Sequence, residues 1–201
     1  MKEHYYDKLL NIKTKEVQQG FHKSLHYHRY EPTPYSALEV LFEKYKIKNK
    51  DHIVDFGCGK GRLNFYIHYF FGASVVGVEM DDELYHDAVQ NQKSYLKKAK
   101  SNKEKIHFLC CLAEEYEVQP EDNRFYFFNP FSVQVFRKII NNILHSFEQS
   151  SREIELVLYY PAEDYIYFLE KETAFEMIEE VVLPYVYEKN PNERFLIYRL
   201  G

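Results

Sequence analysis

Val54-Asp55-Phe56-Gly57-Cys58-Gly59-Lys60-Gly61-Arg62 is the stretch on which the reading of this chain turns. Ahead of it, His52–Phe56 is a short apolar run that reads as a buried strand. Behind it, Arg62–Phe71 has helical periodicity and is ended by Gly72. The stretch is therefore a strand-to-helix turn. Glycines at 57, 59 and 61 permit a tight turn and close approach of a ligand to bare backbone. The helix that follows aims its N-terminal amides at such a ligand. A dinucleotide fingerprint has the spacing G-x-G-x-x-G and cradles a pyrophosphate. Here the spacing is G-x-G-x-G, and Asp55 stands two residues before the first glycine. A carboxylate at that point repels a pyrophosphate but suits a ligand that carries an ammonium group and a sulfonium.

Working outward, Ala73–Met80 reads as a second strand with Glu79 near its end, 24 residues after Asp55. An acid there accepts both hydroxyls of a ribose. Asp82–Lys98 is a long helix with its charged residues outward, Ile106–Cys111 a third strand and Arg124–Phe128 a fourth. Ser132 caps a helix whose apolar stripe is Phe136, Ile139, Ile140, Ile143, Leu144 and Phe147. Ile154–Tyr160 is a fifth strand, Ala162–Glu172 a short helix, and Phe175–Leu183 and Arg194–Leu200 the last two strands. Alternating strands and helices imply a parallel sheet covered on both faces. The last two strands are joined by Pro184–Glu193 with no helix, which predicts an antiparallel hairpin at one edge. Towards the N-terminus, Thr33 is placed to N-cap and Pro34 to occupy the first position of a helix running to about Lys46. Residues 1–35, polar and rich in His and Tyr, read as a lid over a core of residues 36–201 in a single domain, with no appended substrate domain expected.

Composition limits the function classes. The 201 residues fit one domain with a substantial core, 45% hydrophobic and 28% charged. Net charge is −5, where a protein clasping a long duplex carries a basic surplus. Met1–Leu10 has no signal-peptide apolar stretch, and no apolar run reaches the roughly 18 residues needed to span a bilayer. Three cysteines make neither a disulfide framework nor a zinc pattern, so a reducing cytoplasm is expected. His22 and His26 are spaced i, i+4 with His28 nearby, but no fourth ligand is evident and no metal is expected. The lysines at 93, 97, 98, 100, 103 and 105 read as a solvated helix end.

DFGCGKG and the later GVEMDDELYHDA resemble the first two motifs of the class I S-adenosylmethionine-dependent methyltransferases. The resemblance implies an α/β, Rossmann-like sheet of seven strands in the order 3-2-1-4-5-7-6, helices on both faces, with S-adenosylmethionine (SAM) as cofactor. It places Asp55 near the amino-acid part of SAM, the loop Gly57, Cys58, Gly59 and Gly61 beneath it, Glu79 on the ribose and Met80 against the adenine. Ala113 and Glu114, after the third strand, fall where such enzymes hold a residue beside the adenine. The fourth strand ends Phe128-Asn129-Pro130-Phe131, similar to the N-P-P-[YF] signature of enzymes that methylate exocyclic or amide nitrogens, with the second proline missing. The resemblance thus implies that Asn129 and Phe131 contact the acceptor and that Asn129 also faces the cofactor. Tyr30, Thr33 and Pro130 are expected to touch substrate or close over it. Methyl transfer from a sulfonium is an in-line displacement that needs alignment and desolvation more than a strong base. The lack of a Ser/His/Asp or Cys/His constellation is therefore compatible with catalysis. A small-molecule or protein acceptor is expected from the acidic charge. Nucleic acid, suggested by the N-P-F turn, is the alternative, and a non-catalytic cofactor-binding protein is a third reading.

Overall fold

The computed structural model of the protein describes residues 2–15, 30–99, 105–184 and 186–201. Strands β1 (His52–Phe56), β2 (Ser74–Glu79), β3 (Ile106–Cys110), β4 (Arg124–Phe127), β5 (Ile154–Tyr159), β6 (Glu176–Val182) and β7 (Arg194–Leu200) form one sheet. Its order is β3-β2-β1-β4-β5-β7-β6. The first five strands run parallel, and β7 is antiparallel to both β5 and β6. The order and the terminal hairpin are as expected, and no strand boundary differs from the expected one by more than a residue. Short apolar runs flanked by strong helix signals leave little freedom to misplace a strand.

The helices among the described residues are α1 (Lys2–Leu10), α2 (Tyr35–Lys44), α3 (Arg62–Phe71), α4 (Asp82–Ala99), α5 (Val133–Gln149) and α6 (Glu163–Glu172). The odd-numbered residues of β1 and β2, with Tyr126, Val157 and Tyr159, face the core shared with α1 to α4. Val54, Phe56, Phe125, Phe127, Leu156 and Leu158 face the other core, closed by the apolar stripe of α5 and by α6. Strand alternation thus divides the sheet's side chains between two apolar layers.

The N-terminal segment differs from expectation in two ways. Lys2–Leu10 is helical although weakly periodic, because its contacts are mostly aromatic and polar: Tyr6 stacks on Tyr35 at 4.7 Å between ring centroids. Helix α2 begins at Tyr35 with Pro34 in the N-cap position, and no side-chain cap is made. Thr33 is drawn away from capping: its hydroxyl pairs with the Tyr126 hydroxyl at 2.8 Å, and its carbonyl accepts from Arg62 at 3.1 Å. His22, His26 and His28 lie outside the described residues. No helix among the described residues is long and apolar enough to cross a membrane.

Candidate cofactor site

Parallel strands all end on one edge of the sheet, and the turns leaving β1, β2 and β4 meet there. The β1 turn folds back on β2: the Gly57 and Cys58 amides both donate to the Val78 carbonyl, at 2.9 and 3.1 Å. The Gly61 amide donates to the Cys58 carbonyl at 2.9 Å, and the Gly59 amide to Glu79 Oε2 at 2.9 Å. This corrects the expectation of a loop presenting bare amides. Its amides at 57, 58, 59 and 61 close the turn itself and fix the Glu79 side chain.

Each glycine of the loop is required by a different neighbour. A Cβ at Gly57 would lie 2.8 Å from Pro130, and one at Gly61 would lie 2.7 Å from Phe108. At Gly59, where φ is +53°, a Cβ would lie 2.1 Å from the Tyr30 ring. The second glycine, expected to admit a ligand, is thus covered by an aromatic side chain. The Tyr30 hydroxyl donates to the Thr14 carbonyl at 2.9 Å.

The two acids come together as expected. Asp55 and Glu79 end adjacent strands and are 4% and 8% exposed. Glu79 accepts from Gly59 through Oε2 and from Asp81 through Oε1, each at 2.9 Å, leaving lone pairs on both oxygens. Among the described residues no group hydrogen-bonds the Asp55 carboxyl. Burial, and secondarily the Glu79 charge, push the Asp55 carboxyl well above the usual carboxylate range. Burial also raises Glu79, with the Asp81 and Gly59 amides pulling the other way. The same burial, with the two acids beside it, raises the Cys58 thiol and argues against a nucleophilic role. The nearby basic residues are turned elsewhere. Lys60 pairs with Asp87 at 3.0 Å, and Arg62 pairs with Glu3 and donates to Thr14 at 2.8 Å. Among the described residues no cation pairs with these two buried acids, an arrangement that can take a cationic ligand, and Glu79 retains acceptor capacity for a diol.

Beside Glu79 the cleft is open and apolar, with Met80 40% and Leu112 37% exposed. Ala113 is buried in the core at the start of the short turn Ala113–Glu115. Glu114 is turned towards α5, its carbonyl accepting from Asn142 at 2.9 Å and its carboxylate 3.7 Å from Lys138. Sequence reasoning missed Leu112, whose only signal was its place next to the Ala113-Glu114 pair.

Beyond β1, the ends of β4 and β5 form the other wall. Asn129 and Tyr160 leave these adjacent strands with φ of 39° and 52°. Each such left-handed non-glycine residue costs about 1–3 kcal/mol, and such strain concentrates at functional sites. Phe131 is 3% exposed, packed in the core near Gly57, with its carbonyl accepting from the Tyr165 hydroxyl at 2.6 Å. Phe128 and Tyr160 are half-buried at this end, and the Phe128 ring centroid is 4.5 Å from that of Tyr159. Tyr126 pairs in register with Asp55, and the Tyr159 hydroxyl donates to Glu193 at 2.7 Å. Tyr126 was not singled out in the sequence as a neighbour of Asp55, because strand register alone brings it there.

Residues 34–126 match a family described as a methyltransferase domain. The matched residues include the glycine turn, Asp55 and Glu79, so the likeness to a methyltransferase domain falls on the candidate site. An RNA methyltransferase of Salinibacter ruber, solved with S-adenosyl-L-homocysteine, is 22% identical and superposes with a TM-score of 0.52, covering 84% of this chain and 92% of that one. A putative RNA methyltransferase of Pyrococcus horikoshii is 19% identical with a TM-score of 0.57, covering 97% and 96%. At these identities the likeness is one of fold. Sphingolipid C9-methyltransferase 1 of Gibberella zeae is 34% identical over 90 residues. That match spans 45% of this chain and only 16% of the fungal protein. It covers less than half of either chain and says nothing of the acceptor.

Proposed function

We propose that the chain is a SAM-dependent methyltransferase. The observation that carries this reading is the buried Asp55–Glu79 pair, near the ends of adjacent strands and beside the glycine turn, with no cation paired to it among the described residues. The family match and the S-adenosyl-L-homocysteine held by a protein of the same fold support it. When bound, SAM supplies a methyl group already activated by the sulfonium. Glu79, held by two amides, accepts the ribose hydroxyls with its remaining lone pairs. Met80 and Leu112 give the adenine an apolar flank. Asp55 offsets the positive charge of the amino-acid end, and Cys58, too deeply buried to act as a nucleophile, fills space under the loop. Asn129, held in a strained conformation at the end of β4, faces the acceptor beside Phe128, while Pro130 and Phe131 wall the turn. The residues of the chain align the reactants and exclude water, which is what an in-line displacement asks of them.

The acceptor we favour is a small molecule or a protein, because Asp55, Glu193 and the net charge of −5 disfavour a phosphate backbone near the methyl. The N-P-F turn keeps a nucleic-acid amino group as the alternative. Three free thiols fit a reducing compartment, the cytoplasm. Isothermal calorimetry with SAM and S-adenosylhomocysteine tests the cofactor; absence of heat with both defeats the proposal. Transfer of tritiated methyl from SAM to small amines, peptides and bulk RNA separates the acceptor classes, and RNA methylation that weakens steeply with salt would select the alternative.

A further inference from the structure

The two halves of the cleft differ in what fills them, and this points to a residue that controls entry. We infer that Tyr30 is a gate: its ring holds the amino-acid end of the cofactor cleft shut, and the donor's tail enters only when that ring leaves Gly59. The inference rests on the proposed SAM site and adds to it the order in which the site is assembled.

The contact is specific. The ring lies so close to Gly59 that any Cβ would overlap Cε2 and Cδ2, and the hydroxyl is held by the Thr14 carbonyl. Thr14 is itself fixed. Its amide and hydroxyl both bind Asp7, at 3.0 and 2.8 Å, and its hydroxyl accepts from Arg62. The stretch before it is pinned by Asn91, which accepts from the Lys13 amide and donates to the Lys13 and Lys60 carbonyls. A rigid carbonyl therefore holds a single phenol across the loop. The amides at 57, 58, 59 and 61 are already spent within the turn, so what remains for a ligand at Gly59 is its open Cα face, and Tyr30 covers it. Among the described residues no aromatic ring is packed in this way beside Glu79, where Met80 and Leu112 are exposed. When the ring swings out, the Thr14 carbonyl becomes an acceptor for an ammonium group, which the donor's tail carries. Displacement thus exchanges one donor for another. A nucleoside without that tail needs only the open half and leaves Tyr30 in place.

The test compares two probes on the full chain, S-adenosylhomocysteine, which has the tail, and 5′-methylthioadenosine, which lacks it. A site occupied by a gate shows an apparent affinity reduced by the open fraction. Tyr30→Ala is expected to tighten S-adenosylhomocysteine by about tenfold, and Tyr30→Phe, which keeps the ring but loses the bond to Thr14, by about threefold. 5′-Methylthioadenosine is expected to change by less than about twofold in either variant. Weaker or unchanged binding of S-adenosylhomocysteine to Tyr30→Ala overturns the gate, as do equal shifts for both probes, the mark of a general structural effect. If wild type binds neither probe, it is the proposed cofactor that fails, and the gate with it.

Discussion

The cleft at the strand ends has one half on β2 and β3 and another on β1 and β4, and they are built on opposite plans. On the first, Glu79 is fixed by two backbone amides, keeps free lone pairs, and is flanked by exposed apolar side chains. On the second, Asp55 is buried without a hydrogen bond among the described residues, Gly57 is covered by Pro130 and Gly59 by Tyr30. In the proposed function the first half takes the ribose and the base. The second holds a buried acid unpaired among the described residues and strained backbone at Asn129 and Tyr160, terms that the proposed cationic ligand would relieve. Binding energy gained on the open side is thereby available to rearrange the closed one.

The contrast is most severely tested at Glu79. Glu79→Ala removes a charged acceptor for two hydroxyls, worth about 1.5–3 kcal/mol each. We expect calorimetry to show S-adenosylhomocysteine binding weakened by about a hundredfold or more. Retained affinity would mean that the open half is not the ribose seat. Gly59→Ala comes next. The left-handed backbone costs an L-residue roughly 1–2 kcal/mol, and the clash with Tyr30 adds to it. Denaturant unfolding should show a loss of about 2–4 kcal/mol, of which the Gly59→Ala/Tyr30→Ala double variant recovers only the clash.

Asp55 gives a pH signature. Its folded-state proton affinity is raised above that of the unfolded chain, so the native state holds the proton over a range where the unfolded state has released it. Stability of the cofactor-free protein should therefore fall as pH rises from the ordinary carboxylate range towards the raised one. The slope from this single group is at most about 1.4 kcal/mol per pH unit. Asp55→Asn should flatten this dependence and raise cofactor-free stability at neutral pH, while weakening SAM. An unchanged pH profile would deny the closed half its proton-holding buried carboxyl. The smallest effect is expected of Thr33→Val, which loses the bond to Tyr126 and should cost about 1 kcal/mol by thermal unfolding, with nucleoside binding on the open side untouched.

Much of the fold was legible because its signals are local. Asp55, the glycine triplet and Glu79 occupy fixed positions on strands whose apolar runs are unmistakable, and helix α3 ends at Gly72, whose amide caps on His68 as a terminal glycine does. The helix over Lys2–Leu10 was not legible, since Tyr6, Asp7 and Glu3 find partners at residues 14 to 62 rather than along their own helix. Thr33 shows the same limit: a hydroxyl suited to a cap was claimed by Tyr126, 93 positions away.

By itself the sequence determined the class of sheet, the turn that leaves β1 and the two acids beside it, because these follow from periodicity, spacing and the steric freedom of glycine. Only the tertiary structure decided what lies on those glycines. Strand register set Tyr126 beside Asp55, and the pinned N-terminal stretch set Tyr30 on Gly59, so half of the cleft is open and half is closed. The physical reason is that turn chemistry depends on a few adjacent residues, whereas occupancy of a cleft depends on side chains brought together from distant parts of the chain.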